Sequence, residues 1–180
     1  MCEQIFNEAT ATACVRAADE VWNRRDVEAI ARAVTVDCQW RLGSDVIWRR
    51  ERIRVFLTDE WRREPQFRML RELWSWQGRR IAARYAAEFR TTGAQWFRSC
   101  GIECGDFEKG GLVHRLHGCY SVTRIAEHER LLLRGKALRL FTFPPCLSWI
   151  SEEGRACRSL RLGVDRRDLR SGELTIAHDS

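Results

Sequence analysis

FRMLRELWSWQG (67–78), RRIAARYAAEFR (79–90), QWFRSCGIECGDF (95–107) and LVHRLHG (112–118) follow one another, with TTGA (91–94) and EKGG (108–111) separating the later runs. Each run is rich in aromatic, β-branched or small packing residues and is bounded by a Gly-containing turn, the pattern of consecutive hairpins. The stretch 67–118 therefore reads as one long antiparallel meander. The residues before it read as helices laid on one side of a curved sheet, and those after it read as a tail.

Upstream, Ala11, Cys14, Val15, Ala18, Val21 and Trp22 recur at three- and four-residue spacing across 9–25, with Arg16, Asp19, Glu20 and Arg24 on the other side. Asp26 is placed to cap a second short helix, because its carboxylate can accept from the free N–H groups of the next turn. That helix is expected to bury Val27, Ile30, Ala31 and Val34 and to end at Asp37. CQWRL (38–42) and DVIWR (45–49) flank Gly43-Ser44 as a small hairpin. A third helix is expected over 50–63, with Ile53, Phe56, Leu57 and Trp61 inward and Pro65 just past its end, although no Ser, Thr or Asp caps its start. Helices, a hairpin and then a meander make an α+β order rather than an alternating βαβ one.

At 180 residues the chain is large enough to bury a conventional core without disulfides or metal. No apolar run approaches the roughly 18–20 residues of a membrane helix, and MCEQIFNEAT (1–10) has neither the basic head nor the apolar core of a secretory signal. A cytoplasmic location is expected. The net charge of +6 invites a nucleic-acid reading, but lysine stands only at 109 and 136. The arginines are spread along the chain among acids instead of clustering into a phosphate-binding face, so nucleic-acid binding is disfavoured. No dinucleotide-binding glycine motif, P-loop or nucleophile elbow is present.

The eight cysteines are scattered, and reduced, buried thiols are the default reading. Cys100, Cys104, His114, His117 and Cys119 raise the question of zinc, which wants four thiolate or imidazole ligands in a tetrahedron. Their spacing matches no common finger, and His114 and His117, three apart on a strand, point to opposite faces. No metal and no cofactor are expected.

AADEVWNRRDVEAIARAVTVDCQWR (17–41), FLTDEWRREPQFRMLRELWSWQGRRIAARYAAEF (56–89) and QWFRSCGIECGDF (95–107) resemble the SnoaL-like, nuclear transport factor 2-like superfamily. Within it they are similar to a bacterial and fungal family labelled as a domain of unknown function. The markers are Trp22-Asn23-Arg24-Arg25-Asp26, the Phe-Leu-Thr helix with Trp61, Arg71-Glu72-Leu73-Trp74 and Gln95-Trp96-Phe97-Arg98-Ser99. The likeness covers 9–130, so 1–130 is read as the domain and 131–180 as a divergent, weakly ordered extension that leaves short strands open at 137–143 and 173–177. The resemblance implies a cone-shaped antiparallel sheet wrapped around three N-terminal helices, an apolar pocket in its mouth, and homodimers formed through the open sheet face. It implies no single reaction, since the superfold hosts isomerases, dehydratases, cyclases, hydrolases and non-catalytic binders alike.

Tryptophan supports the pocket independently: Trp40, Trp48, Trp61, Trp74, Trp76 and Trp96 are more indole than a core of this size needs, and they suit a small apolar or aromatic ligand. Taken singly, each is better explained by core or by a dimer face. If Thr92-Gly93 makes a two-residue turn, Arg84 faces Gly101 and lies diagonal to Glu103, and Glu88 faces Phe97. Arg84, Glu88 and Glu103 would then share one face with Ser99 as the catalytic set, one carboxylate held ionised by the arginine and the other kept protonated. The plain alternative is an ion pair that fixes register. Trp40, Arg41, Trp61, Trp74, Phe97 and Ser99 are the expected pocket residues. Asp37 lies near where some relatives place a catalytic carboxylate, though a turn role fits it better, and Tyr85 falls off the Arg84/Glu88 face.

The chain also departs from its relatives. Leu42-Gly43 stand where they tend to carry Asn-Arg, Ile102 where they carry Asn, and Gly105 where they carry Trp. Two readings stay open: acid–base chemistry of lyase, isomerase or hydrolase type in an apolar pocket, or a non-catalytic ligand-binding or dimerising scaffold.

Overall fold

A computed structural model describes residues 6–134. Helix α1 (Glu8–Arg24) starts at Asn7, whose side chain accepts from the Thr10 N–H at 2.9 Å while the Thr10 hydroxyl accepts from the Asn7 N–H. It ends where Arg25 turns into the left-handed region (φ 59°). Arg25 is held there by its guanidinium, which donates to the carbonyls of Trp61, Glu64 and Pro65 and so ties the end of α1 to the end of α3 (Arg50–Arg63).

Asp26 caps α2 (Val27–Arg32) by accepting the Ala29 N–H at 2.8 Å, as expected. The helix is shorter than its apolar pattern suggested. Val34 opens strand β1 (Val34–Leu42) and Asp37 lies within that strand, not at a helix end. The run Val34-Thr35-Val36 is β-branched throughout, and such residues favour the extended chain. A tight turn leads to β2 (Asp45–Trp48) and then to α3, which has no side-chain cap at its start. The meander comes next as β3 (Gln66–Gln77), β4 (Arg80–Arg90), β5 (Trp96–Phe107) and β6 (Val113–Ile125).

The α+β expectation of three helices on a curved sheet holds. The sheet is mixed, not wholly antiparallel: its order is β2-β1-β6-β5-β4-β3, and β1 runs parallel to β6. The meander begins at the far edge and brings its last strand back alongside β1, where the two run parallel. Ile30, Val34, Cys38, Trp40, Ile53 and Leu57 form the largest buried cluster, between α2, α3 and β1. A second, around Val15, Ile81 and Ala83, seats α1 on β4. No helix among the described residues is long and apolar enough to cross a membrane.

The β4–β5 register differs by one residue from a two-residue turn. Ala94, not Gly93, takes the left-handed conformation (φ 63°), and Thr91 and Gln95 close the loop. One extra residue sits in the turn, so Arg84 pairs with Ile102 and Glu88 with Arg98. Each slip of one residue exchanges faces across the hairpin. Arg84 and Glu88 therefore lie on the outer face, away from the helices, while Ser99 and Glu103 lie on the inner face; the expectation that all four share one face is corrected.

On the outer face Glu88 is fully buried. It accepts from Arg98 (3.0 and 2.6 Å) and from the backbone N–H groups of Leu131 and Leu132 (2.9–3.0 Å). The chain leaving β6 makes two short 3-10 turns (Glu127–Glu129 and Leu132–Arg134) and is drawn back across the sheet by this carboxylate, with Leu132 packed on Ala86 and Cys100. The short strands left open at 137–143 and 173–177 lie outside the described residues.

Removing one partner of a buried, hydrogen-bonded pair strands the other. Glu88→Ala is expected to lower stability in urea by about 3–5 kcal/mol and to free residues 126–134 to rapid amide exchange. A loss under about 1 kcal/mol, the range of an exposed pair, would contradict the anchoring role.

Candidate functional site

Paired residues of antiparallel strands project to the same side, so the inner face can be read in rows. One row is Arg71, Tyr85, Gly101 and Tyr120; its neighbours are Met69, Ala87, Ser99 and Val122, and Leu73, Ala83, Glu103 and Gly118. Most of these are apolar or small. The exceptions concentrate at the centre: Arg71, Tyr85, Ser99, Glu103 and Tyr120.

Gly101 makes this crowding feasible. A Cβ there would stand 2.3 Å from the Cys119 carbonyl oxygen and 2.8 Å from Tyr120 Cβ, so only a bare backbone lets β5 and β6 approach closely here.

Arg71 is the hub. Its side chain is 4% exposed, and it donates from Nε to Glu103 Oε2 at 2.9 Å and from Nη1 to Asp19 Oδ1 at 3.1 Å. The other Asp19 oxygen accepts the Arg71 backbone N–H at 2.8 Å. One turn on, Asn23 repeats the device by pairing with both the N–H and the C=O of Met69 (2.8 and 2.9 Å). Strand β3 is a sheet edge, and α1 thus satisfies edge groups that would otherwise be left open. The Arg71 guanidinium also lies 5.0 Å over the Trp22 ring.

Electrostatics follow from burial and pairing. Burial pushes the Asp19 carboxyl up, an effect that the Arg71 charge and its hydrogen bonds only partly offset. Burial alone would pull Arg71 down, but Glu103 and Asp19 hold its guanidinium firmly protonated. On β1, burial raises the Cys38 thiol to about 12, so it packs as a neutral group.

Two hollows lie between this face and the helices. The larger, about 260 Å³, is walled by α1, α2 and the apolar residues of β4–β6, with Trp40, Arg71 and Glu103 on its lining. The smaller, about 40 Å³, is lined by Trp61, Tyr85, Ser99, Glu103 and Tyr120 among others, enough for a water or a small polar group. Glu103, Trp22 and Leu116 border both. Tyr85 Oη lies 3.5 Å from Ser99 Oγ beside the smaller hollow.

The structure thus brings four of the expected residues to the hollows: Glu103, Ser99, Trp61 and Trp40. It places five elsewhere. Arg84 donates to Glu72 (3.0 and 2.6 Å) and lies over the half-exposed Trp74 ring on the outer face. Glu88 holds the outer clasp. Arg41 is exposed on the opposite side of β1 from Trp40. Phe97 is buried against Phe89, with ring centroids 5.6 Å apart. Ile102, opposite in pleat to Glu103, faces outward with Arg84.

The residues missed were Asp19 and Arg71; Tyr85 lies off the Arg84/Glu88 face as expected, which puts it with Tyr120 on the inner face. Arg71 left a legible trace: it falls in phase with Phe67, Met69 and Leu73, the apolar side of β3. Asp19 left none, because the stripe of α1 sets it on the polar side. Of the five residues weighed for zinc, Cys100, Cys104, His117 and Cys119 share the outer face, where Cys100 packs under Leu132, Cys104 pairs with His117 and Ile102 with Cys119. Among the described residues, the ligand atoms that converge are instead those of Asp37, Glu108 and His114.

The family described as "Protein of unknown function (DUF1348)" matches residues 4–133. No curated protein matches. Among solved structures, the chain is similar to SalBIII, an epoxide hydrolase/cyclase-like enzyme with a role in pyran ring formation in the polyether salinomycin, at 16% identity and a TM-score of 0.59, over 66% of this chain and 98% of that one. It is similar to a SnoaL-like protein of unknown function from Burkholderia thailandensis E264 (15% identity, TM-score 0.54, 66% and 99% of the two chains). An NTF2-like protein of unknown function from Exiguobacterium sp. 255-15 also matches, at 11% identity and a TM-score of 0.53 over 57% and 93%. At these identities the likeness is one of fold.

Asp19 carries a testable consequence. Its folded pKa lies above the ordinary 3.8, so between 3.8 and that raised value the folded chain holds a proton that the unfolded chain has released. Stability from this group is complete below the window and is lost as pH climbs through it. Wild type should therefore lose stability relative to Asp19→Asn as pH rises through the window, measured by urea unfolding across a pH series. A gain relative to the variant would contradict the assignment.

Proposed function

Because the chain belongs to the DUF1348 family of proteins of unknown function, its role is read from the site, and we propose that it binds a small apolar or aromatic molecule in the larger hollow and performs acid–base chemistry on it at Glu103. The observation that carries this reading is the charge cluster of Asp19, Arg71 and Glu103, centred on the buried Arg71 and opening through the part-buried Glu103 onto both hollows. Glu103 Oε1 has a single long contact, 3.5 Å from Arg71 Nη2, which leaves lone pairs for a substrate or water proton. Glu88 differs: both of its oxygens are taken by Arg98 and backbone N–H groups, so it and Arg84 are assigned to holding the sheet.

Roles follow from position. Asp19 does not border either hollow; it fixes Arg71, and Arg71 holds and aims the Glu103 carboxylate. Glu103 is the general base, taking a proton from a water or a substrate hydroxyl in the smaller hollow as that oxygen bonds to carbon. The C–O bond that breaks leaves an oxygen that needs a donor, and the phenols of Tyr85 and Tyr120 lie on the same face to supply it. Added water gives a hydrolase, and an internal hydroxyl gives a cyclase. Likeness of fold to an epoxide hydrolase/cyclase-like enzyme supports testing that reaction class first. No cofactor enters the scheme.

A homodimer through the outer sheet face, where Trp74 is 48% exposed, and a cytoplasmic location belong to the same proposal. The second reading, a non-catalytic binder, is favoured by the size and apolar walls of the larger hollow.

A panel of apolar epoxides and hydroxy-epoxides, followed in ¹⁸O-labelled water, separates the two. Wild type is expected to open or cyclise at least one member, and Glu103→Gln to slow it by about 100-fold or more. Saturable binding of panel members with no turnover, unchanged in Glu103→Gln, would establish the binder and overturn the catalytic assignment.

A further inference from the structure

Well away from Glu103, the β1–β6 ladder breaks. Val34 pairs with Val113 and Gln39 with Arg115, and the register shifts between them. The interruption frees residues 35–38 of regular pairing, and three side chains from separate segments converge beside it: Asp37 of β1, Glu108 from the β5–β6 turn and His114 of β6. One ligand atom from each lies within 4.8 Å of the other two.

The geometry is odd for an ion pair. Both carboxylates approach the same imidazole nitrogen: Asp37 Oδ1 is 3.8 Å and Glu108 Oε1 3.6 Å from His114 Nδ1, and Thr35 Oγ1 is 3.5 Å from it. A single N–H at Nδ1 can serve one acceptor, and neither distance is that of a made hydrogen bond. The Thr35 hydroxyl and a backbone N–H already serve the Asp37 carboxylate, and an ion seated among the three atoms would add the Glu108 carboxylate and the imidazole to one shell with it. Ligands at roughly 2.0–2.2 Å from a tetrahedral zinc are themselves roughly 3.4 Å apart, so the two carboxylate–imidazole separations of 3.6 and 3.8 Å need only a small contraction to reach that shell.

We propose that Asp37, Glu108 and His114 bind a divalent transition-metal ion, which pins the interrupted β1–β6 pairing to the β5–β6 turn. One imidazole and two carboxylates suit zinc, cobalt or nickel better than magnesium or calcium, whose sites are built from oxygen alone. The ion occupies the open rim with solvent completing its shell, since Asp37 and Glu108 are exposed and His114 partly so.

The test uses the full chain, reduced and freed of metal by chelator, titrated with Co²⁺ and then competed with Zn²⁺. Visible absorption reports N/O ligation, and an intense ultraviolet charge-transfer band would report thiolate. One equivalent bound without the thiolate band is expected, together with a rise in melting temperature. Affinity should fall at least about tenfold in each of Asp37→Asn, Glu108→Gln and His114→Ala. It should be unchanged in the Cys104→Ser/Cys119→Ser double variant. All three ligands are at the surface, and each variant should keep the metal-free melting temperature of wild type. Should His114→Ala fail to fold, Asp37→Asn and Glu108→Gln decide alone. Absence of binding at millimolar Co²⁺, a thiolate spectrum, or affinity untouched by Asp37→Asn and Glu108→Gln would each overturn the site.

Discussion

The guanidinium of Arg71 is the constraint on which the interior of this protein turns. A buried positive charge is tolerated only when paired and hydrogen-bonded, and here the partners come from three directions: Asp19 on α1, Glu103 on β5 and the face of Trp22. Satisfying one side chain therefore fixes the height of α1 on the sheet and the side on which Glu103 must emerge. Asn23 and Asp19 extend the same contact to the backbone of β3, so the helix that encloses the hollows also closes the sheet edge. Remove the charge and the helix would still have its apolar stripe, but nothing would set the polar centre of the cone.

A second carboxylate–arginine pair on the opposite face shows what a purely architectural version looks like. Glu88 is fully buried where Glu103 is only partly so, and the Glu88 oxygens are saturated by Arg98 and the Leu131 and Leu132 N–H groups. That carboxylate holds a strand exit in place and has no capacity left. Glu103 keeps one oxygen lightly engaged at the junction of two hollows. The two carboxylates differ because one is closed with main-chain donors and the other is held by a single side chain. Gly101 belongs to the same logic, since its bare backbone lets Tyr120 approach the row that Tyr85 and Arg71 occupy.

Periodicity and capping made most of the architecture readable. The α1 stripe, the Asp26 cap, α3 before Pro65 and the four meander strands stand where short-range patterns place them, because those patterns report local physics. The failures trace to single residues. The β-branched run from Val34 ended α2 early. Ala94 took the left-handed turn position beside a glycine that would have accepted it more easily, and that one residue put Arg84 and Glu88 on the face of the sheet away from Ser99 and Glu103. The parallel β1–β6 pairing is a product of chain return, which no local signal encodes. Of the expected residues, Glu103, Ser99, Trp40 and Trp61 line the hollows. Arg71 was visible as a charge in an apolar phase, and Asp19 could be found only once α1 had been docked.

The central claim is that the Asp19–Arg71–Glu103 cluster exists for chemistry at the hollow and not for stability. Replacing a buried ionic cluster by apolar groups of similar size is often neutral or stabilising, by about 1–4 kcal/mol. The most direct measurement is the urea stability of the triple variant Asp19→Asn/Arg71→Met/Glu103→Leu, in which the amide introduced at position 19 still accepts the backbone N–H of residue 71. The account predicts a folded chain at least as stable as wild type and incapable of turnover. A loss of several kcal/mol would contradict it, showing that the cluster is held in place for the fold itself.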